Sequence, residues 1–247
     1  MRILLSNDDG VAANGLATLY SSLEGVGERI VFAPDRNSSG LSSSLTLGRP
    51  LRVTEHSNGF NSVDGTPADC VHLAVNALLE QKPDIVVSGI NHGVNLGDDV
   101  LYSGTVGAAL EGRFMGLPAI AVSACGKGEQ GFITAGKVVR DLILRLAQLS
   151  LPEGTLLNVN VPDRPYEELK GMAVTRLGHR ERPEKPLKVM DPRGKPVYWI
   201  APVGKGQDAG KGTDFYAIAE GLVSVTPLQY DQTHHSTLSQ LSEWLGS

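Results

Sequence analysis

Only two of the 247 residues are cysteine. Cys70 and Cys125 each sit in an apolar stretch with no second cysteine or histidine at ligand spacing, so a disulfide framework and a thiolate zinc site lack their residues, and both are expected as reduced core thiols. No apolar run reaches the ~20 residues that a spanning helix needs, and Ile3-Leu4-Leu5 is too short for the apolar part of a signal peptide. The expected compartment is the cytoplasm, with no membrane partner. Basic residues are also scarce: 22 against 27 acidic ones, a net charge of −5. That balance argues against a nucleic-acid polymer as partner, so an anionic ligand has to be held locally. There is no His-Glu-x-x-His zinc motif and no Gly-x-Ser-x-Gly nucleophile elbow. The glycine-rich stretch Gly204 to Gly212 imitates a phosphate-binding loop, but Gly212 stands where that motif requires serine or threonine.

What is present is the texture of a folded α/β protein, with 41% hydrophobic and 20% charged residues. At roughly 150 residues per domain the length suits one large domain with an appendage. Short apolar runs at Arg2 to Leu5, Arg29 to Ala33, Asp84 to Ser88, Ala119 to Ser123 and Leu156 to Asn160 read as strands. Between them, Leu16 to Leu23, Ala68 to Leu79 behind Thr66-Pro67, Thr105 to Phe114 and Ala135 to Leu149 carry helical spacing. The alternation predicts a doubly wound, Rossmann-like, mostly parallel sheet over residues 1–165. From about residue 162 prolines recur and the apolar periodicity fades. Residues 166–247 are expected to form an extension. In it Val197 to Ala201 and Leu222 to Thr226 are antiparallel strands flanking a Gly204–Gly212 hairpin turn, and Thr237 to Leu245 is a terminal helix. Such arms serve subunit contacts, which predicts a homo-oligomer.

Ligands of open parallel sheets bind beyond the carboxyl ends of the strands, which singles out three loops. The first is Ser6-Asn7-Asp8-Asp9-Gly10, whose adjacent carboxylates suit a hard cation such as Mg²⁺ or Mn²⁺ and equally an N-cap or a turn. The second, Pro34 to Gly40, brings hydroxyls, with Ser39 able to reach the same ion if the first two strands are neighbours. The third runs from Ser88 to Thr105, eighteen residues read as a functional loop. It offers Asn91 and Asn95, and Ser103-Gly104-Thr105 opens a helix whose free amides favour phosphate or are simply capped. His92, inside this loop, is better placed to help a reaction than His234 or His235, which read as surface or contact residues.

Taken together, Met1 to Gly10, Ala33 to Gly40, Val87 through Asn95-Leu96-Gly97-Asp98-Asp99 to Val106, Gly65 to Cys70 and Thr226-Pro227-Leu228 resemble the SurE family of survival proteins over almost the whole chain. The resemblance implies a phosphomonoesterase acting on nucleoside 5′- and often 3′-monophosphates, with short-chain polyphosphate as a further substrate in some members. It implies one divalent cation per subunit, Mg²⁺ or Mn²⁺, on Asp8, Asp9, Ser39 and Asn91, and phosphate contacts at Asn95, Ser103, Gly104 and Thr105. It also implies a homodimer or homotetramer with exchange of the C-terminal segment. Ala12-Ala13-Asn14 departs from relatives that carry histidine and proline there, which bears on substrate preference. Asp8 or Asp9 is the expected general base. The competing class is a nucleotide-binding or receiver-like signalling module without turnover, whose lysine could only be Lys127.

Overall fold

A computed structural model describes residues 1–126, 128–146, 154–200 and 204–246. Five β-strands form its parallel centre: β1 (Arg2–Ser6), β2 (Glu28–Pro34), β5 (Ile85–His92), β6 (Ala119–Ala124) and β7 (Leu156–Val161). They arise where fully buried Val, Ile, Leu and Ala runs have apolar layers on both faces. Short strands β3 (Val53–Glu55) and β4 (Asn61–Val63) extend one edge. At the other edge lie β13 (Val223–Leu228), antiparallel to β7, and β8 (Met172–Val174). The nine-stranded order is β3-β4-β2-β1-β5-β6-β7-β13-β8. The chain therefore builds outward from β1 in one direction, then restarts on its other side at β5. That reversal puts the switch point between β1 and β5.

Helices α1 (Asn14–Ser22) and α4 (Glu129–Leu146) close one apolar layer, with Leu16, Leu19, Val138, Val139 and Ile143 against Ile3, Leu5, Val87 and Ile120. On the opposite face α2 (Pro67–Leu73) and α3 (Gly104–Phe114) pack Cys70, Val71, Val106 and Leu110 against Leu4 and Val86. The α2 start is the capping box legible in Thr66-Pro67: Asp69 N–H donates to Thr66 Oγ1 at 3.0 Å, and Thr66 N–H to Asp69 Oδ2 at 2.8 Å. The predicted helix to Leu79 is shorter, since Ala74–Leu78 continues as a π-helix. The predicted Ala135 to Leu149 helix begins earlier, at Glu129, and its last three residues lie outside the described ones.

The antiparallel pairing expected in the extension is corrected by the structure. β11 (Pro196–Trp199) pairs with β10 (Leu187–Met190), and Ala201, the end of the predicted strand, is outside the described residues. The run from Leu222 joins the main sheet as β13, because its alternate residues Val223 and Val225 continue the layer over β7. The glycine-rich stretch is not a turn between those two: β12 (Gly206–Asp208) pairs with β9 (His179–Arg180) before α5 (Asp214–Glu220). So β8, α5 and β13 return to the sheet, while the β10–β11 hairpin and α6 (Leu238–Leu245) carry the extension's exposed apolar residues. Cys70 is buried, whereas Cys125 is only half-buried, and burial pushes both thiols up.

Candidate functional site

The β1 strand delivers Asp8 and Asp9 at the switch point. Asn7 shapes the turn after it, its Nδ2 donating to Gly10 O at 3.0 Å and its Oδ1 accepting from Gly10 N–H at 3.2 Å. The β2 loop is tied to this turn by Ser38 N–H donating to Asp8 O at 2.7 Å, which brings the exposed Ser39 alongside. The expected structureless third loop is instead ordered. β5 runs on to His92, with a register shift against β6 between Ser88 and Asn91, and Gly97–Leu101 is a 3₁₀ turn. The extra strand length matters, because it carries Asn91 and His92, still paired with Ser123 and Ala124 of β6, past the end of β1 to the acidic turn. His92 N–H donates to Asp9 Oδ2 at 3.3 Å, and Asn37 Nδ2 to Asp9 Oδ1 at 3.5 Å.

A cavity of about 660 Å³ opens there, lined by Asp8, Ser39, Asn91, His92, Asn95 and Ser103, with Tyr102, Pro183 and Ile200 on its outer wall. Asp9 stands at its rim through the bonds just described. Asn91 commits its Nδ2 to Gly93 O at 2.9 Å, which leaves its carbonyl oxygen as the uncommitted end. Asn95 is buried and its Nδ2 donates to Ser123 Oγ at 2.8 Å. Ser103 caps α3 by accepting Val106 N–H at 3.1 Å, so its hydroxyl proton stays free to donate.

The helix start has an internal anion. Thr105, 0% exposed, donates its hydroxyl to Asp8 Oδ1 at 2.6 Å, and its backbone amide also acts on that carboxylate. In this arrangement the Thr105 hydroxyl is engaged with Asp8 and orients its carboxylate. Burial pushes the Asp8 carboxyl above the ordinary aspartate range, the Thr105 hydroxyl pulls it back, and the charge of Asp9 pushes it up again. Gly104 permits this arrangement, because a Cβ there would stand 2.8 Å from Asp8 Cβ. No spacing signal in the sequence marks the Asp8–Thr105 pair.

The donor set is two carboxylates, a serine hydroxyl and an amide oxygen. These hard oxygen ligands suit Mg²⁺ or Mn²⁺, and among the described residues no group of three or more His, Cys, Asp or Glu side chains offers a softer set. His234 and His235 lie elsewhere, on the exposed approach to α6. Residues missed in the sequence are Asn158 and Asn160, which grip the Asn95 backbone from β7: Asn158 Nδ2 donates to Asn95 O at 2.9 Å, and Asn160 Oδ1 accepts Asn95 N–H at 2.8 Å. Buried asparagines on a core strand were the available signal. No helix among the described residues is long and apolar enough to cross a membrane.

A family model described as Survival protein SurE matches residues 3–184. The 5′-nucleotidase SurE of Marinobacter nauticus is 59% identical over 245 residues, covering 99% of this chain and 96% of that protein. The protein of the same name from Pseudoalteromonas atlantica is 56% identical, covering 99% of both. The crystal structure of the SurE protein from Aquifex aeolicus superposes with a TM-score of 0.88 at 46% identity, covering 100% of both chains. A match that spans the acidic turn, the serine loop and the α3 start, with relatives aligned from end to end, settles the ancestry of this switch-point site: the chain belongs to the SurE family.

Proposed function

We propose that the chain is a metal-dependent 5′-nucleotidase, a phosphomonoesterase that hydrolyses nucleoside 5′-monophosphates, and 3′-monophosphates and short-chain polyphosphate as well. The observation that carries this reading is the convergence in one cavity of Asp8, Ser39 and Asn91, with Asp9 at the rim, facing the capped start of α3. Its full-length relatives bear the name 5′-nucleotidase.

Asp8, Asp9, Ser39 and Asn91 are the residues that would hold one divalent cation, Mg²⁺ or Mn²⁺. When bound, such an ion supplies positive charge that polarises a phosphoryl oxygen. The chain does the rest. Ser103 Oγ–H, the Gly104 amide and Asn95 hold the phosphoryl oxygens, at a helix end where negative charge is favoured. Asp8 or Asp9 accepts the proton of the attacking water at a carboxylate oxygen, with the Thr105 hydroxyl keeping Asp8 in position. His92 stands in the lining, where it can assist the leaving oxygen. Tyr102, Pro183 and Ile200 form the outer wall that the nucleoside would meet.

The test is release of inorganic phosphate from a nucleoside 5′-monophosphate with Mn²⁺, Mg²⁺ or EDTA, in wild type, Asp8→Asn and Asp9→Asn. Activity is expected with the cation only, and each variant should lose nearly all of it. The metal-free variants should melt no lower than wild type, because each removes one of two crowded negative charges. The wild-type melting temperature should rise on titration with the ion, by an amount equivalent to about 2.7 kcal/mol at a hundredfold excess over Kd. Full turnover after exhaustive chelation, or in either variant, would overturn the metal mechanism.

A further inference from the structure

One buried carboxylate has no part in that chemistry. Asp214 opens α5 and is 0% exposed. Its Oδ2 accepts Gly97 N–H at 2.7 Å, while its Oδ1 accepts Gly178 N–H at 2.9 Å and Phe215 N–H at 2.9 Å. A charge buried this far from water is sustained only by such donors, and they fix it in direction as well as position. Gly97 and Gly178 meet so closely here that a Cβ on Gly97 would stand 2.8 Å from Gly178 O and 2.8 Å from the Phe215 ring. Two backbone segments 81 residues apart are thus clasped around one side chain.

The clasped segment is the one that carries the phosphate contacts. Asn95 is two residues before Gly97 and is held on its other side by Asn158 and Asn160. Two residues after Gly97, Asp99 is gripped by Arg180, whose Nε donates to Asp99 Oδ1 at 2.9 Å. Along this stretch Asn95 is bonded from the sheet, while Gly97 and Asp99 are bonded from residues 180–214. We propose that Asp214 is a positioning residue for phosphoryl transfer: by holding Gly97 it sets the orientation of Asn95 and Ser103 toward the phosphate. This rests on the phosphatase reading above. Asparagine at 214 keeps the volume but sets an N–H₂ against the N–H of Gly97 or Gly178, so one donor meets another.

The experiment compares wild type, Asp214→Asn and Thr213→Val, all full-length with Mn²⁺. The last removes the α5 cap, in which Thr213 Oγ1 accepts Tyr216 N–H at 3.2 Å, and leaves the carboxylate in place. Four quantities are read well below each melting temperature: kcat and KM for a nucleoside 5′-monophosphate, kcat for p-nitrophenyl phosphate, and competitive inhibition by inorganic phosphate. Asp214→Asn should lower kcat about 10- to 100-fold on both substrates and weaken inhibition by phosphate. Thr213→Val should lower the melting temperature with kcat unchanged. Unchanged kcat in Asp214→Asn, a loss confined to KM for the nucleotide, or an equal kcat loss in Thr213→Val would overturn the proposal. Should Asp214→Asn not fold, Arg180→Gln releases the same stretch at Asp99 and is judged by the same kcat and phosphate criteria. If wild type itself releases no phosphate from either substrate, it is the phosphatase reading that fails.

Discussion

Asp8 shows how a residue acquires its role from a neighbour that the sequence keeps 97 positions away. Its carboxylate is forced up by burial and by the adjacent Asp9, and is drawn back by the Thr105 hydroxyl. Thr105→Val removes that donor without changing the side-chain shape much, and leaves a buried charge short of a partner. A charge-assisted bond of about 1.5–3 kcal/mol corresponds to roughly a 10- to 150-fold loss. The expected result is a fall of that size in kcat with KM within a few-fold of wild type, and recovery of most of the loss in Thr105→Ser. A rise in KM with kcat retained would instead return Thr105 to direct phosphate binding. The acidic pair, the hydroxyl loop and the Ser-Gly-Thr helix start could all be read from residue type. The Asp8–Thr105 bond could not, because it exists only once α3 has packed against β1.

At the scale of elements, the five long parallel strands were legible because burial on both faces demands continuous apolar runs. Strands of two to four residues, β3, β4, β8, β9, β10 and β12, carry no such run and went unread. The 3₁₀ turn at Gly97–Leu101 was hidden for another reason: its order comes from distant partners. Arg180 N–H donates to Asp98 Oδ2 at 2.8 Å and His179 Nδ1 lies 3.3 Å from Asp98 Oδ1, and together they hold the Asp98 carboxyl below the ordinary aspartate range, the backbone bond contributing most. A lowered folded-state pKa adds stability above the unfolded value, and that stability is lost as pH falls through the folded one. Asp98→Asn should therefore melt below wild type at neutral pH. The side chain is partly exposed, so the gap is a few tenths to about 1 kcal/mol, or at most about 2–4 °C for a chain of this size. The two proteins should converge in acid below the aspartate range. A gap of constant size down to that pH would remove the charge from the explanation.

Across the whole molecule, both tryptophans are left exposed. Trp199 is 67% exposed on the β10–β11 hairpin and Trp244 79% exposed on α6, where none of the eight residues is buried. Exposed apolar patches mark interaction sites, and the proposal that residues 166–247 form an oligomerisation arm in a homodimer or homotetramer is tested there. Asp231 Oδ2 and His235 Nε2 lie 2.5 Å apart across the approach to α6, and this contact holds the Asp231 carboxyl down. Replacing both with alanine should free that approach and shift the assembly on light scattering, with phosphate release per subunit measured in parallel. An unchanged mass would make the pair a surface contact only.

Local pattern sufficed for the parallel core and for the three loops at its carboxyl edge, since burial periodicity and turn chemistry are properties of neighbouring residues. Pairing in the extension was misread because partner choice among short exposed strands depends on which apolar layer each can join, and Val223 and Val225 of β13 complete the layer over β7. The Asp214 clasp and the Asp8–Thr105 bond were likewise settled by tertiary structure alone. A buried carboxylate takes its donors from whatever backbone and hydroxyl groups the packed sheet and helices bring within 3 Å, and no distance along the chain records them.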